Sequence, residues 1–163
     1  MGIVQRSTIS SRFRSTDLKR KPRPLWKCLK CGERFTSRNM WHSCGKFSLD
    51  DLFARSEPRV LKIFHEYARL VRACGNVRMI PQKSRVVFQA RIRFAGATPR
   101  RSNLICHFIL PRKIDNGRFQ KIETFNPNCH VHYLRINDEA DLDRDVVNWL
   151  KQAYRVGQQE YLA

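Results

Sequence analysis

The chain has 163 residues, of which 42 % are hydrophobic, enough for one packed domain of ordinary size with an appendage. Its 32 lysines and arginines outnumber 14 acidic residues and give a net charge of +18, so a polyanionic partner is expected, nucleic acid before an anionic membrane surface. The sequence has no signal-peptide core near its start and no apolar run of about eighteen residues, which predicts a cytoplasmic protein without a transmembrane segment.

The first 25 residues are polar, basic and without any hydrophobic period, and they predict a disordered arm (residues 1–25). Residues 1–48 carry more than half of the net charge, and the densest basic patch of the arm is Lys19, Arg20, Lys21 and Arg23. Such a patch is typical of a solubilising tail or of an arm that lies on phosphates and releases counterions as it binds.

The next segment, residues 26–47, predicts a zinc-binding module, called the module below. Cys28 and Cys31 form a C-x2-C pair, and His42 and Cys44 form an H-x-C pair ten residues later. Thiolate and imidazole are ligands that tetrahedral Zn²⁺ prefers. Gly32, directly after the first pair, is typical of a zinc knuckle, in which backbone N–H groups turn toward the thiolate sulfur.

His42 is the expected fourth ligand, because no further histidine or cysteine follows Cys44 on a next helical turn. An H-x-C pair cannot lie on one face of a helix, so this part of the module should be an irregular loop. Two alternatives remain, buried free cysteines with a surface histidine, and a disulfide. A polar segment in a reducing compartment favours the metal over both.

The zinc should be structural, since four protein ligands leave no open position for water. So short a segment cannot bury enough apolar surface by itself, and it should fold around its metal. Four aromatic residues would supply its small core: Trp26, Phe35, Trp41 and Phe47.

The remaining residues, 48–163, predict an α+β domain. Ser48 should cap a short helix, Ser56 a longer amphipathic one, and Asn137 or Asp138 the last helix. Four strands are expected between the second and the last helix. Because the strands are grouped rather than alternating with helices, we expect an antiparallel four-stranded sheet with the helices on one face.

The clearest strand runs from Arg85 to Phe94, where apolar and polar residues alternate. A basic loop over 96–102 should follow. The segment 103–110, apolar on both faces, should lie centrally in the sheet. The segments 119–125 and 129–136 should form a hairpin.

Arginines on the polar face of the 85–94 strand and in the loop after it predict a cationic surface beside the module. Charge on a broad platform suits phosphate contacts and single-strand stacking, although a solvated edge strand has the same pattern. The sequence leaves open whether the nucleic acid is DNA or RNA. The expected nucleic-acid contacts outside the arm are Lys27, Lys30, Arg34, Arg38, Arg85, Arg91, Arg93, Arg100 and Arg101.

Two other functions remain open. The first is an enzyme or small-ligand domain with a pocket between sheet and helices near His107, His130 and His132, with Lys83 as a further candidate. No Gly-rich phosphate loop, nucleophile elbow or carboxylate cluster supports catalysis, so no catalytic residue is indicated. The second is a protein-interaction module that docks through the zinc-binding segment.

Three stretches carry a resemblance to a known family: LWKCLKCGERFTSRNMWHSCGKFSLDDLFARSEP, VRMIPQKSRVVFQARIRFAGATPR and CHVHYLRI. They resemble bacterial proteins of the domain of unknown function 5655 family, over roughly residues 25–160. The resemblance implies a compact α+β domain after a zinc-finger-like segment, and it implies no reaction or substrate.

Overall fold

The structure, a computed structural model, describes residues 22–160. Lys19, Arg20 and Lys21 of the expected arm therefore lie outside the described residues. The module contains a two-stranded sheet, β1 (Trp26–Lys27) and β2 (Arg34–Phe35).

Among the described residues, three α-helices and six strands follow the module, which confirms the predicted α+β class. In chain order they are α1 (Leu49–Phe53), α2 (Pro58–Arg72), β3 (Arg78–Pro81), β4 (Val86–Gln89), β5 (Arg93–Pro99), β6 (Leu104–Leu110), β7 (Phe119–Asn126), β8 (Cys129–Ile136), a 3-10 turn (Glu139–Asp141) and α3 (Arg144–Gly157). None of these helices is both long and apolar enough to cross a membrane.

The main sheet is antiparallel throughout and has the order β3-β4-β5-β6-β8-β7. The prediction of four strands was therefore wrong. The central position of β6 and the β7–β8 hairpin agree with the sequence analysis. The prediction of a basic loop over 96–102 is wrong for residues 96–99, because β5 extends to Pro99.

The continuous strand predicted from Arg85 to Phe94 is two strands, β4 and β5, joined by a tight turn. In that turn the N–H of Ala90 donates to the carbonyl of Ile92. The N–H of Ile92 donates to the carbonyl of Gly157 at the end of α3, at 2.8 Å. Contacts with distant parts of the chain thus fix a reversal that the alternating pattern does not indicate.

One face of the sheet carries the helices and the hydrophobic core. Leu104, Cys106, Phe108 and Leu110 alternate along β6 with half-buried residues, and each is 0 % exposed. Trp149 of α3 packs against Phe108 with the ring centroids 5.8 Å apart. The helices lie on one face, as the grouped strands predict.

The helix starts show where capping rules predicted the boundaries and where they missed. The hydroxyl of Ser48 accepts from the N–H of Asp51 at the start of α1, as expected. The cap of α2 is Glu57, one residue after the predicted Ser56, with Pro58 as the first helical residue. Asp138 caps the 3-10 turn, and Asp143 caps α3 with its carboxylate.

The opposite face of the sheet, called the open face below, has no helix over it among the described residues. Pairing across the strands aligns Val87, Gly96, His107, Tyr133 and Lys121 in one row. Directly paired residues lie on the same face of an antiparallel sheet, so this row crosses the open face.

Gly96→Ala tests how closely this row is packed. A Cβ at Gly96 would lie 2.4 Å from Cε1 of His107 and 2.6 Å from the carbonyl oxygen of Val86, which cannot move freely. We expect the substitution to lower the free energy of unfolding by about 1–3 kcal/mol, measured by urea denaturation. Gly117→Ala, whose Cβ would meet nothing within 4 Å, is the matched control and should leave stability nearly unchanged.

Candidate metal centre

The module brings four potential metal ligands together: Cys28, Cys31, His42 and Cys44. Their ligand atoms all lie within 4.8 Å of one another, so this group could hold a metal ion. Cys28 and Cys31 lie in the loop of the β1–β2 hairpin, in which Trp26 pairs with Phe35, and His42 and Cys44 follow β2.

The spacing of the sulfur atoms fits a tetrahedral ion. Sγ of Cys28 and Sγ of Cys44 are 3.8 Å apart, and Sγ of Cys31 is 3.2 Å from Nε2 of His42. Two thiolates bound at about 2.3 Å to one tetrahedral ion stand about 3.8 Å apart. A disulfide would need about 2.05 Å, and all six cysteines are free.

Backbone geometry at the first pair favours the thiolate form. Gly32 has a φ of 73° and donates its N–H to the carbonyl of Cys28 at 2.8 Å, which closes a knuckle around the sulfur. Backbone N–H groups, that of Cys31 first, lower the pKa of Cys28 to about 6. Donors already directed at the sulfur are what a bound thiolate needs.

A hydrogen bond to the backbone orients His42. Its Nδ1 lies 2.8 Å from the carbonyl oxygen of Met40, so Nδ1 donates and Nε2 keeps its lone pair for a ligand bond. The same carbonyl raises the pKa of His42 above its usual value. The His42 ring packs 4.6 Å from the Phe35 ring, so it belongs to the small core of the module.

Cys44 lies at a strained position. Its φ is 53°, in the left-handed region that non-glycine residues rarely adopt, and burial raises the pKa of its thiol to about 11. Such strain persists where other contacts compensate for it, and a fourth bond to metal would do so. The irregular backbone expected for the H-x-C pair is present, since residues 40–43 belong to no helix or strand.

Trp41 does not join the core of the module, contrary to the sequence analysis. Its side chain is 85 % exposed, and the neighbouring His42 takes the inward position instead. Leu29, between the first two cysteines, is 100 % exposed.

The module packs against β3, β4 and β5 through polar side chains. The buried carboxylate of Glu33 accepts from Nη2 of Arg93 at 2.5 Å, and the Arg93 guanidinium lies 5.3 Å from the centre of the Phe35 ring. Nε2 of Gln89 donates to the carbonyl of Arg34, and Nη1 of Arg78 donates to that of Gly32. The sequence analysis missed the contact of Arg78 with the module, because nothing in the residues around Arg78 indicates a partner 46 positions earlier in the chain.

The cationic residues predicted from the sequence do not form one stripe. Arg93 lies between module and sheet, and the guanidinium of Arg91 in the β4–β5 turn donates to Gln159 and to the carbonyl of Arg23. Arg85 precedes β4, next to the open face. The other predicted contacts among the described residues are exposed: Lys27, Lys30, Arg34, Arg38, Arg100 and Arg101.

The three histidines suggested for a ligand pocket do not share one face. His130 and His132 pair with Leu110 and Phe108, so they face the helices, whereas His107 faces the other side. His132 is 0 % exposed and accepts from the N–H of Ile114 through Nε2.

Substitution of a ligand should release the metal. We expect Cys28→Ser and His42→Ala each to reduce the metal content of purified protein from one ion per chain to well below half, because a three-ligand site binds more weakly. Elemental analysis against protein concentration measures this. Cys74→Ser, which changes a cysteine outside the cluster, should keep the full content. Full content in the His42 variant would place the fourth ligand elsewhere.

Removal of Arg93 should loosen the module. Arg93→Ala leaves the Glu33 carboxylate, 3 % exposed, without its partner, and we expect a loss of about 3 kcal/mol in unfolding free energy. Faster amide hydrogen exchange confined to the module would locate the effect. The double variant Glu33→Gln/Arg93→Met removes both charges and should lose less. Equal losses in the single and double variants would show that the unpaired Glu33 carboxylate is not the cause of the destabilisation.

Comparison with known proteins identifies the family of the domain that follows the module. No curated protein and no solved structure matches the chain. The family model described as a domain of unknown function matches residues 49–157, from the first residue of α1 to the last residue of α3, and leaves the four metal ligands outside. Because that match spans more than half of the chain, the protein belongs to the domain of unknown function family DUF5655.

Proposed function

We propose that the protein binds nucleic acid in a cationic cleft between the module and the sheet, and that a structural Zn²⁺ holds the module side of this cleft in place. The observation that carries the proposal is the lining of the cleft. Its volume is about 580 Å³, and its lining includes four cationic residues and no acidic one: Lys27, Arg34, Arg78 and Arg91.

Both halves of the molecule contribute to this charge. Lys27 and Arg34 are cross-strand partners in the β1–β2 hairpin, whereas Arg78 starts β3 and Arg91 lies in the β4–β5 turn. None of the four pairs with a carboxylate among residues 22–160. Cations whose charge no carboxylate neutralises can still attract phosphate oxygens, which supply most of the affinity in nucleic-acid binding.

The ligand set supports Zn²⁺ as the ion of this proposal. Three thiolates and one imidazole suit Zn²⁺, and four protein ligands leave no position for a reacting water. Lys27 immediately precedes the ligand Cys28, so the bound ion would also fix the position of one wall of the cleft. The zinc thus supports binding and performs no chemistry.

The basic arm would extend the same surface. The carbonyl of Arg23 accepts a hydrogen bond from Arg91, so the chain enters the described structure beside the cleft. Lys19, Arg20 and Lys21 come directly before that point in the sequence. Lys30 and Arg38 on the module, and Arg85, Arg100 and Arg101 near the sheet, are further candidates for phosphate contacts.

A protein partner is the second candidate, favoured by apolar side chains that the module exposes. Leu29, Met40 and Trp41 are 100 %, 37 % and 85 % exposed. Large apolar side chains that a small module exposes to solvent are candidates for an interaction surface. Binding through them would change little with salt and would be lost in Trp41→Ser, with nucleic-acid binding retained.

Salt dependence and charge removal test the nucleic-acid proposal together. Fluorescence anisotropy should measure binding of labelled single-stranded DNA, duplex DNA and single-stranded RNA over a series of salt concentrations. We expect a steep linear fall of log affinity with log salt. The double variant Lys27→Gln/Arg34→Gln should weaken binding roughly tenfold at 0.1 M salt and reduce the slope by about 1.5, since two phosphate contacts are lost.

The matched control is Lys151→Gln/Arg155→Gln, which removes the same charge from exposed positions on α3. It should change the affinity less than threefold. Equal losses in the two double variants would show that bulk charge, and not the cleft, attracts the nucleic acid. Absence of binding to all three probes at low salt would overturn the proposal itself.

A further inference from the structure

We propose that the open face of the sheet holds a second binding site, which takes a small organic anion with an apolar, ring-sized body. A cavity of about 290 Å³ lies there, on the side of the sheet away from the helices. The residues that define its chemistry are Arg85, Val87, His107, Ile109, Phe125 and Val131.

The floor of the cavity is the imidazole ring of His107, which has no hydrogen-bond partner among the described residues. The ring nitrogens of His107 make no hydrogen bond within the part of the chain that the structure describes, although the ring is largely surrounded by protein. Its place is made by Gly96 on the neighbouring strand, where any Cβ would overlap the ring. A half-buried polar ring that packs against glycine and opens into a cavity is available to a ligand.

His107 should be neutral when it meets that ligand. Burial, followed by the positive charge of Arg85, lowers the pKa of His107 to about 4. A neutral imidazole offers one N–H donor and one acceptor, so it can hydrogen-bond the ligand while Arg85 supplies the positive charge. Arg85 and His107 line the same cavity.

The charges around the cavity favour an anion. The carboxylate of Glu33 pairs with Arg93, while that of Glu123 accepts from the hydroxyl of Tyr133 and pairs with Lys121. Arg85 is exposed, and the only hydrogen bond of its guanidinium among residues 22–160 goes to the side-chain oxygen of Gln82. The uncompensated charge at the cavity is therefore the Arg85 guanidinium, whose planar fork suits a carboxylate or a phosphate.

The walls favour an apolar body. Val87, Ile109 and Val131 form them, and the Phe125 ring, 69 % exposed, stands at the rim where it could cover a flat ligand. Ligand cavities usually measure about 300–1,000 Å³, so this one is of a size for one or two fused rings. The apolar walls, the unpartnered imidazole and the free guanidinium together define the ligand class.

Two probes that differ only in charge test the site. The protein is titrated with 2-naphthoate and with the neutral 2-naphthalenemethanol, and binding is followed by two-dimensional ¹H–¹⁵N NMR. We expect saturable shifts at Gly96, His107 and Val131, with 2-naphthoate binding at least fivefold more tightly than the alcohol. No saturable shift at these residues with either probe would overturn the proposal, and so would equal affinity for both.

Three variants connect the binding to the residues. Arg85→Gln should weaken 2-naphthoate at least fivefold and leave the alcohol unchanged, whereas the charge-matched Arg155→Gln on α3 should affect neither. Ile109→Trp should fill the cavity and abolish both, provided its circular dichroism matches that of the parent protein. If the Ile109→Trp variant does not fold, the test rests on Arg85→Gln, because Arg85 is exposed. An unchanged preference of Arg85→Gln for 2-naphthoate over the alcohol would refute the site.

Discussion

The ion pair between Glu33 and Arg93 is the interaction on which the arrangement of module and sheet depends. Glu33 is almost completely buried, and a carboxylate taken out of water is tolerated only when charge and hydrogen bonds compensate for it. Arg93 provides both and also stacks over Phe35, which belongs to the core around the metal ligands. An ion pair of this kind adds little net stability but fixes one orientation, because any other leaves a buried charge unpaired.

That orientation creates the cleft. With Arg93 held by Glu33 and Gln89 held by the carbonyl of Arg34, the β1–β2 hairpin stands beside β3 and the β4–β5 turn. Lys27 and Arg34 then face Arg78 and Arg91 across the same space. The candidate metal ligands and the ion pair act at different ranges: the ligand cluster lies within the module, and the ion pair joins the module to the sheet.

How much of this could be predicted depends on the range of the interactions. The four candidate metal ligands lie within seventeen residues, and their spacing alone indicated them. Local apolar patterns likewise indicated the central position of β6 and the β7–β8 hairpin. The reversal between β4 and β5 contains no Gly, Pro or Asn that would mark a turn in the sequence. It is stabilised instead by distant residues: the N–H of Ile92 donates to Gly157, and the side chain of Gln89 donates to Arg34. Tertiary contacts there override a pattern of clean alternation.

The arginines of this region are a second case in which local patterns did not predict long-range contacts. Alternation predicted that Arg91 and Arg93 point to solvent, yet Arg93 has its partner 60 residues earlier in the chain, at Glu33. A lone acidic residue in a basic segment is the one signal that could have indicated a buried pair.

The two proposed sites differ in what they require of the chain. Residues within 49–157 supply every side chain that defines the cavity around His107, so that site needs only the DUF5655 domain. The cleft takes Lys27 and Arg34 from outside that span and Arg78 and Arg91 from within it. The cleft exists only because the module is attached to the domain, so the cysteine and histidine cluster would be a condition for the proposed nucleic-acid binding, whereas it contributes no side chain to the proposed anion site.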